Sequence, residues 1–288
     1  MFIKNNSVHS VLGYFDEQLA SQFTERERKL IGKSFIAKRL GWENTDFLLR
    51  KDDKVTESDL LYFRKMIKQL KNGLPFQYVL GETFFYNILL KTDKRALIPR
   101  PETEELVDWV VSDLKKSKNL KILDIGTGSG CIPLAIKNSI SNATVLGLDV
   151  SHDALELAKE NANRLKLDVN FIHYDILSQK MEFTNEKWDV IVSNPPYIPK
   201  KDKKLMAKHV LEHEPEIALF ISDNNPLVFY QKIVDFAKHN LVENGNLYFE
   251  IHESLAENVK DLLVQKGFKN VEIKKDLQGK ERMIKCKH

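Results

Sequence analysis

The segment Asn194 to Tyr197, with the sequence Asn-Pro-Pro-Tyr, has the side chains and the rigidity to hold a planar polar group. It follows three β-branched residues, 190–192, which predict a buried strand. The two prolines end that strand because proline cannot donate to a sheet ladder, and they keep the preceding residue extended. An amide and an aromatic face then stand together at the mouth of the strand. Asn and Pro are also favoured turn residues, so the segment alone is equally consistent with a structural turn.

A glycine-rich segment between a predicted strand and a predicted helix offers a second ligand site. Residues 124–130 read Asp-Ile-Gly-Thr-Gly-Ser-Gly, and such a turn lets a ligand approach bare backbone. A dinucleotide fingerprint has its third glycine one position later, where this chain has Cys131, and no Walker A lysine follows. The spacing therefore favours a nucleoside-bearing ligand without a pyrophosphate. The residues predicted to contact it are Gly126, Thr127, Gly128, Ser129 and Gly130.

Acidic residues end the next two predicted strands at the same edge of the sheet. Asp149 closes one strand, where an acid can accept hydrogen bonds from both ribose hydroxyls. Asp175, with Ile176 beside it, ends the next and is placed to meet an exocyclic adenine amine. Each acid alone is consistent with an ordinary turn. Three successive strands that end in a glycine loop or an acid, at the edge where open α/β sheets bind ligands, predict S-adenosylmethionine with its methyl group directed to Asn194.

The elements that position these residues belong to an α/β domain. From residue 120 onward, predicted strands and helices alternate, which is typical of a mostly parallel sheet with helices on both faces. The last two predicted strands, at 271–275 and 282–286, form an antiparallel hairpin at the edge of the sheet. We assign residues 96–288 to this domain.

A small all-helical domain is predicted for residues 1–75, where capping residues precede apolar residues at helical spacing. Its Lys and Arg side chains are typical of solvated helix faces, although a docking module for a macromolecule has the same composition. The aromatic-rich residues 76–95, from about Gln77, predict a β-hairpin that links the two domains.

Composition excludes several classes of protein. The chain has 288 residues, of which 42% are hydrophobic and 30% charged, as expected of a soluble protein with one large and one small domain. A net charge of +3 is too small to favour non-specific nucleic-acid binding. Cys131 and Cys286 have neither a disulfide framework nor metal-ligand spacing, which favours a reducing compartment and no metal. No apolar run predicts a signal peptide or a membrane span, so we expect a cytoplasmic protein.

These motifs resemble the amino-methyltransferases that modify planar nitrogens in DNA adenine, ribosomal RNA guanine or protein glutamine. Residues 97–104 (LIPRPETE), residues 77–82 (QYVLGE) and Glu214-Pro215 before Ala218-Leu219 narrow the resemblance. Together with the helical N-terminal domain, they resemble the peptide chain release factor glutamine N5-methyltransferases over nearly the whole chain. The resemblance implies a Rossmann-like, S-adenosylmethionine-dependent methyltransferase domain. It also implies that the substrate is the glutamine of the Gly-Gly-Gln loop in class I release factors, with S-adenosylhomocysteine as the second product.

The acceptor segment suits such a reaction. A carboxamide nitrogen is a poor nucleophile because its lone pair is delocalised into the carbonyl. The side-chain oxygen of Asn194 and the backbone carbonyl of Pro195 can accept its two N–H groups and orient it towards the methyl donor. Tyr197 can pack on the amide plane. The predicted catalytic residues are therefore Asn194, Pro195 and Tyr197, and the further predicted substrate contacts are Pro196, Arg100 and Glu102.

Three positions depart from the pattern of the family. Ile176 stands where relatives often carry an aromatic that lines the adenine pocket, which puts stacking there in doubt. Residues 225–227 (Asn-Pro-Leu) replace Asp-Gly-Leu, and residues 251–252 (Ile-His) replace Ile-Gly.

Two other functions stay open. The acceptor segment also suits the exocyclic amine of an RNA or DNA base, although the chain lacks an RNA-binding module or a strongly basic face. A cofactor-binding regulator without catalysis is disfavoured by the intact segment. We expect a monomer that acts on a protein, without a stable nucleic-acid partner or a membrane.

Overall fold

A seven-stranded sheet organises most of the described residues in the computed structural model, which describes residues 5–115, 117, 119–178, 186–206 and 208–288. The chain divides into two compact units. One comprises the residues up to Gly81 together with Lys208–His213, and the other comprises Glu82–Ala207 and Glu214–His288. Among the described helices, none is both long enough and apolar enough to cross a bilayer.

The elements have the following bounds. The helices are α1 (Val8–Leu19), α2 (Glu25–Leu40), α3 (Asp46–Leu49), α4 (Glu57–Lys71), α5 (Phe76–Leu80), α6 (Pro101–Leu114), α7 (Cys131–Ser139), α8 (His152–Leu165), α9 (Lys208–His213), α10 (Val228–Asn240) and α11 (Ala256–Gln265). The strands are β1 (Glu82–Phe85), β2 (Ile88–Lys91), β3 (Lys121–Ile125), β4 (Thr144–Asp149), β5 (Asn170–His173), β6 (Trp188–Ser193), β7 (Ile198–Pro199), β8 (Phe220–Ile221), β9 (Leu241–Glu250), β10 (Lys269–Lys275) and β11 (Glu281–Lys287). Short 3-10 helices lie at Lys200–Leu205, Glu216–Ala218 and Glu253–Leu255.

The smaller unit is helical, as predicted. Thr24 and Thr56 begin α2 and α4 with capping boxes, each side chain accepting a backbone N–H three residues later. Its core is rich in aromatics, with the rings of Phe15 and Phe35 stacked at 5.7 Å and Phe63 packed edge-on against Phe15. Capping fixes where the helices start, and the buried rings hold them together.

The sheet of the larger unit has the strand order β10-β11-β9-β6-β3-β4-β5. The strands from β9 to β5 are parallel, whereas β11 runs antiparallel to both β9 and β10. One face packs on α6 and α7 and the other on α10 and α11, so the central strands are buried on both sides. The carboxyl ends of the parallel strands therefore meet at a single edge. The predicted α/β fold with its antiparallel edge hairpin is confirmed.

The hairpin predicted from about Gln77 is wrong in its first part. Residues 76–80 form α5, which begins after Pro75 and ends at Gly81 in the left-handed region. The strands of the hairpin are β1 and β2, joined by a tight turn at Tyr86-Asn87 with φ of 40° and 67°. The five residues of α5 are too few, and too uniformly apolar, to show a helix or strand period. The proline before them and the glycine after them are the signals that favour a helix.

Candidate active site

A cavity of about 290 Å³ lies in the larger unit, at the edge where the parallel strands end. This is the place where open α/β sheets bind ligands. Its wall comes from the loops after β3, β4, β5 and β6, and from residues 95–100 and Thr103 before and within the first turn of α6. The volume is close to the lower limit, roughly 300 Å³, of typical small-molecule sites.

The glycine loop after β3 is held against the carboxyl end of the neighbouring strand, β4. The N–H groups of Gly126 and Thr127 both donate to the Leu148 carbonyl at 2.8 Å. Gly126, Gly128 and Gly130 all have positive φ, which a side chain would strain. A Cβ at Gly130 would also lie 3.1 Å from the Ala158 Cβ. All five predicted loop residues line the cavity or, for Gly130, close the loop onto α7.

Asn161 ties this loop to the β1–β2 hairpin. Its buried side-chain nitrogen donates to the carbonyls of Ser129 at 3.0 Å and Lys91 at 3.2 Å. Its side-chain oxygen accepts the Lys91 N–H at 2.7 Å. One amide therefore connects α8, β2 and the cavity wall.

Asp149 lines the cavity with a fixed carboxylate. One oxygen accepts the Gly128 N–H and the other the Ser151 N–H, each at 2.8 Å. Burial raises the pKa of Asp149, and these backbone N–H groups oppose the rise. Each oxygen keeps a further lone pair. The group can therefore accept hydrogen bonds from a diol without having to move.

The end of β5 supplies a mixed surface. Asp175 and Ile176 both line the cavity, and the Asp175 carboxylate accepts the Leu177 N–H at 2.9 Å. Two aromatic side chains, Tyr174 and Phe229, line it as well, although the sequence analysis named neither. The cavity therefore has an aromatic surface even though position 176 is an isoleucine.

The end of β6 places the acceptor segment at the cavity. The Ser193 hydroxyl donates to the Ile125 carbonyl at 2.6 Å and fastens β6 to β3. Asn194, Pro195 and Pro196 line the cavity. The Asn194 side-chain nitrogen donates to the Thr103 hydroxyl at 3.1 Å. Because the nitrogen is engaged, the side-chain oxygen is left as the acceptor, and within the described part of the chain no hydrogen bond to that oxygen is found.

Tyr197 points to a buried carboxylate instead of joining the cavity wall. Its hydroxyl donates to Glu250 at 3.1 Å, and its ring lies 5.8 Å from that of His252. Burial and the charge of Glu250 raise the pKa of Tyr197, so the phenol stays protonated. Its predicted packing on a substrate amide stays a prediction.

Three residues behind the acceptor segment, Thr103, Tyr230 and Glu250, were not predicted from the sequence as part of the site. The Thr103 hydroxyl donates to Glu250 at 2.6 Å, and both residues are buried. Tyr230 donates to the Glu250 carbonyl at 3.1 Å. The available signal was an acid at the end of the apolar strand β9, since a buried carboxylate needs partners.

The chain matches two family models. Residues 11–81 match the PrmC N-terminal domain, and residues 107–220 match the methyltransferase small domain. A release factor glutamine methyltransferase from Flavobacterium psychrophilum is 43% identical over 288 residues, with 99% of each chain covered. The chain belongs to the release factor glutamine methyltransferase family. A second member, from Lactococcus lactis, is 40% identical over 250 residues and covers 86% of this chain and 88% of its own.

Solved structures share the fold of this family member at low identity. A methyltransferase from Pyrococcus furiosus has a TM-score of 0.50 at 17% identity, covering 69% of this chain and 87% of its own. A 16S rRNA N2 methyltransferase from Thermus thermophilus, in complex with AdoMet and guanosine, has a TM-score of 0.51 at 16% identity and covers 72% of this chain and 49% of its own. These likenesses show the fold alone.

Arg100 and Glu102 occupy different places in this methyltransferase. Arg100 lines the cavity and pairs with the buried Glu214 at 2.6 Å, whose second oxygen accepts the Ile98 N–H at 3.1 Å. Glu102 does not line the cavity, and its carboxylate accepts a hydrogen bond from the Gln278 side chain at 3.5 Å. The predicted substrate contact of Glu102 stays a prediction.

A buried acid below the glycine loop gives a testable pH dependence. Burial raises the pKa of Asp124 from an ordinary 3.8 to about 7, and the nearby Thr127 hydroxyl only partly opposes it. A carboxyl whose pKa is higher in the fold than in the unfolded chain makes the fold less stable as the pH rises between those two values. Since one pKa unit corresponds to about 1.4 kcal/mol, the free energy of unfolding should fall by roughly 2–3 kcal/mol between pH 5 and pH 8 through this group.

The variant Asp124→Asn should abolish that contribution. Its free energy of unfolding relative to the wild type should therefore increase by roughly 2–3 kcal/mol between pH 5 and pH 8. Urea denaturation of both proteins at the two pH values measures the difference. A difference that does not change with pH would show that Asp124 is ionised throughout.

Proposed function

We propose that this protein transfers the methyl group of S-adenosylmethionine to the side-chain nitrogen of the glutamine in the Gly-Gly-Gln loop of class I release factors. The observation that carries the proposal is the Asn194 amide at the cavity wall, whose nitrogen donates to Thr103 and whose oxygen accepts no hydrogen bond from the residues that the structure describes. The names of the relatives, release factor glutamine methyltransferase, supply the protein substrate.

The cavity fits S-adenosylmethionine on its own residues. The glycine loop offers bare backbone, Asp149 offers a fixed acceptor for ribose hydroxyls, and Tyr174 and Phe229 offer aromatic surface for a base. Asp175 stands beside them as an acceptor for an exocyclic amine. When bound, S-adenosylmethionine supplies an electrophilic methyl group on a sulfonium centre and leaves as S-adenosylhomocysteine.

The chain's own residues orient the acceptor nitrogen. The Asn194 oxygen and the Pro195 carbonyl accept the two N–H groups of the glutamine amide, which fixes the direction of its nitrogen. These acceptors also stabilise the positive charge that develops on that nitrogen, and they need no rearrangement because Thr103 and the two prolines hold them. Once methylated, the cationic nitrogen is strongly acidic and gives up one of its two protons to water, so a strong general base is not required.

The cellular setting follows from this substrate. We propose that the protein acts in the cytoplasm, where release factors work, as a monomer and without a stable nucleic-acid partner.

The deciding experiment supplies labelled S-adenosylmethionine with either a purified class I release factor or total RNA. We expect label in the release factor, on the glutamine of its Gly-Gly-Gln loop as located by peptide mass spectrometry. A release factor with that glutamine replaced by glutamate should take up none, which is the matched control. Label in RNA alone would contradict the proposal and support the exocyclic amine of a base as the acceptor.

A further inference from the structure

A chain of hydrogen bonds runs from the end of β9 to the acceptor segment. Glu250 is buried there, and one carboxylate oxygen accepts the Thr103 hydroxyl at 2.6 Å. Its other oxygen accepts the Tyr197 hydroxyl at 3.1 Å. Thr103 in turn accepts from the Asn194 side-chain nitrogen at 3.1 Å. This series of hydrogen bonds therefore joins β9, α6 and the end of β6 through side chains that are distant in sequence.

The chemistry of each group fixes which partner donates in every hydrogen bond of this series. An ionised carboxylate can only accept hydrogen bonds, and a threonine hydroxyl has a single proton. Since Thr103 gives its proton to Glu250, its oxygen is left to accept, and only the nitrogen end of the Asn194 amide can donate to it. The Asn194 oxygen must then face the other way, where a substrate N–H can reach it.

The opposite direction would remove the acceptor. A neutral group at position 250 that donates to Thr103 would free the Thr103 proton to point at Asn194. The amide would then be stabilised with its oxygen on Thr103 and its nitrogen towards the substrate. Two N–H groups would face each other, and the substrate amide would not be held.

We propose that Glu250 and Thr103 are positioning residues, which set the Asn194 amide in the orientation that accepts the N–H of the substrate. The inference rests on the proposed function, because the orientation matters only if the Asn194 oxygen binds an N–H of the acceptor group. Both residues act on the substrate through Asn194.

The proposal requires Glu250 to be ionised, and the groups around it include some that raise its pKa and some that lower it. Burial raises the pKa of Glu250, as does the charge of Glu102 on α6. The hydrogen bonds from Thr103 and Tyr197 lower it, as does the charge of Arg282 on β11. Arg282 is itself paired with Asp276 at 3.3 Å, Tyr230 on α10 donates to the Glu250 carbonyl, and His252 lies against the Tyr197 ring. Activity should therefore be lost as the pH falls through a value above that of an ordinary carboxyl group.

Three variants test the inference in the methylation assay with a release factor. Glu250→Gln keeps the shape but can donate, and Thr103→Val keeps the shape without a hydroxyl. Each should lower kcat by about 10²-fold, while the Kd of S-adenosylmethionine changes by less than about twofold. Thr103→Ser retains the hydroxyl and should restore kcat to within about threefold of the wild type. In Glu250→Gln, the acid limb of the kcat profile should disappear.

The measurements are kcat against pH, the Kd of S-adenosylmethionine by calorimetry, and Tm. Wild-type kcat in both Glu250→Gln and Thr103→Val would overturn the inference. So would a Thr103→Ser variant as impaired as Thr103→Val, since that outcome indicates packing alone. If Glu250→Gln does not fold, the Thr103→Val and Thr103→Ser pair still decides. Wild-type protein that methylates no release factor defeats the proposed function, whereas active wild type with unimpaired variants defeats only this inference.

Discussion

Asn194→Ala is expected to lower kcat for glutamine methylation by about 10²–10³-fold, the usual effect of removing one preorganised group that stabilises developing charge. The affinity for S-adenosylmethionine should change less than about threefold. The reason is positional. In the proposed mechanism, the Asn194 oxygen faces the acceptor group, whereas the glycine loop and Asp149, at the ends of other strands, hold the cofactor.

Single-turnover kinetics with saturating release factor separates the two effects, since it measures the chemical step apart from product release. Asn142→Ala is the matched control, because Asn142 is exposed in the turn between α7 and β4, at the opposite edge of the sheet. It should keep wild-type kcat and Kd. If Asn194→Ala weakened cofactor binding as much as it lowered kcat, the Asn194 side chain would be structural and the proposed mechanism would be wrong.

Asp149→Ala is expected to have the opposite profile, with the Kd of S-adenosylmethionine raised by about 10²-fold or more. Hydrogen bonds to a charged acceptor contribute about 1.5–3 kcal/mol each, and two ribose hydroxyls would lose theirs. Every 1.4 kcal/mol is about tenfold in affinity. The Gly128 and Ser151 N–H groups would lose their partner as well, which loosens the loop that the cofactor contacts.

Isothermal calorimetry measures this Kd directly. Asp168→Ala removes the same charge from an exposed site near the start of β5, and it should leave the Kd unchanged. Asp149→Asn keeps one acceptor oxygen, so its Kd for S-adenosylmethionine should lie between that of the wild type and that of Asp149→Ala. Equal affinities for Asp149→Ala and the wild type would show that the carboxylate serves only the loop.

Local chemistry explains what the sequence analysis predicted well. The glycines after β3, the acid that ends β4 and the prolines after β6 each lie beside their own strand, so a short stretch of sequence contains the whole signal. The order of parallel strands then brings them to one edge. In the same way, capping residues and apolar spacing predicted the helices of the smaller unit.

Contacts between distant segments explain what was missed. Thr103 looks like helix-start chemistry and Glu250 like the end of a strand, and only the position of α6 against β9 joins them. Tyr174 and Phe229 reach the cavity wall from two separate elements. Arg100, the residue before α6, lines the cavity, whereas Glu102, two residues further on, accepts from the Gln278 side chain, and its substrate contact stays a prediction. The hydrophobic pattern of a short stretch of sequence contains no information on contacts between segments this far apart.

The buried amide of Asn161 has a consequence for the order of assembly. It links the glycine loop to β2, a hairpin strand that precedes the loop in the chain, through α8, which follows it. Until the hairpin has docked, the amide lacks two of its three bonds, and the Ser129 carbonyl is held by a side chain that is not itself fixed. Contacts between segments so far apart in sequence slow folding, because loop closure costs entropy before the contact repays it. Because a ligand stabilises only the state that binds it, S-adenosylmethionine should protect the fully assembled larger unit and none of its partly folded forms.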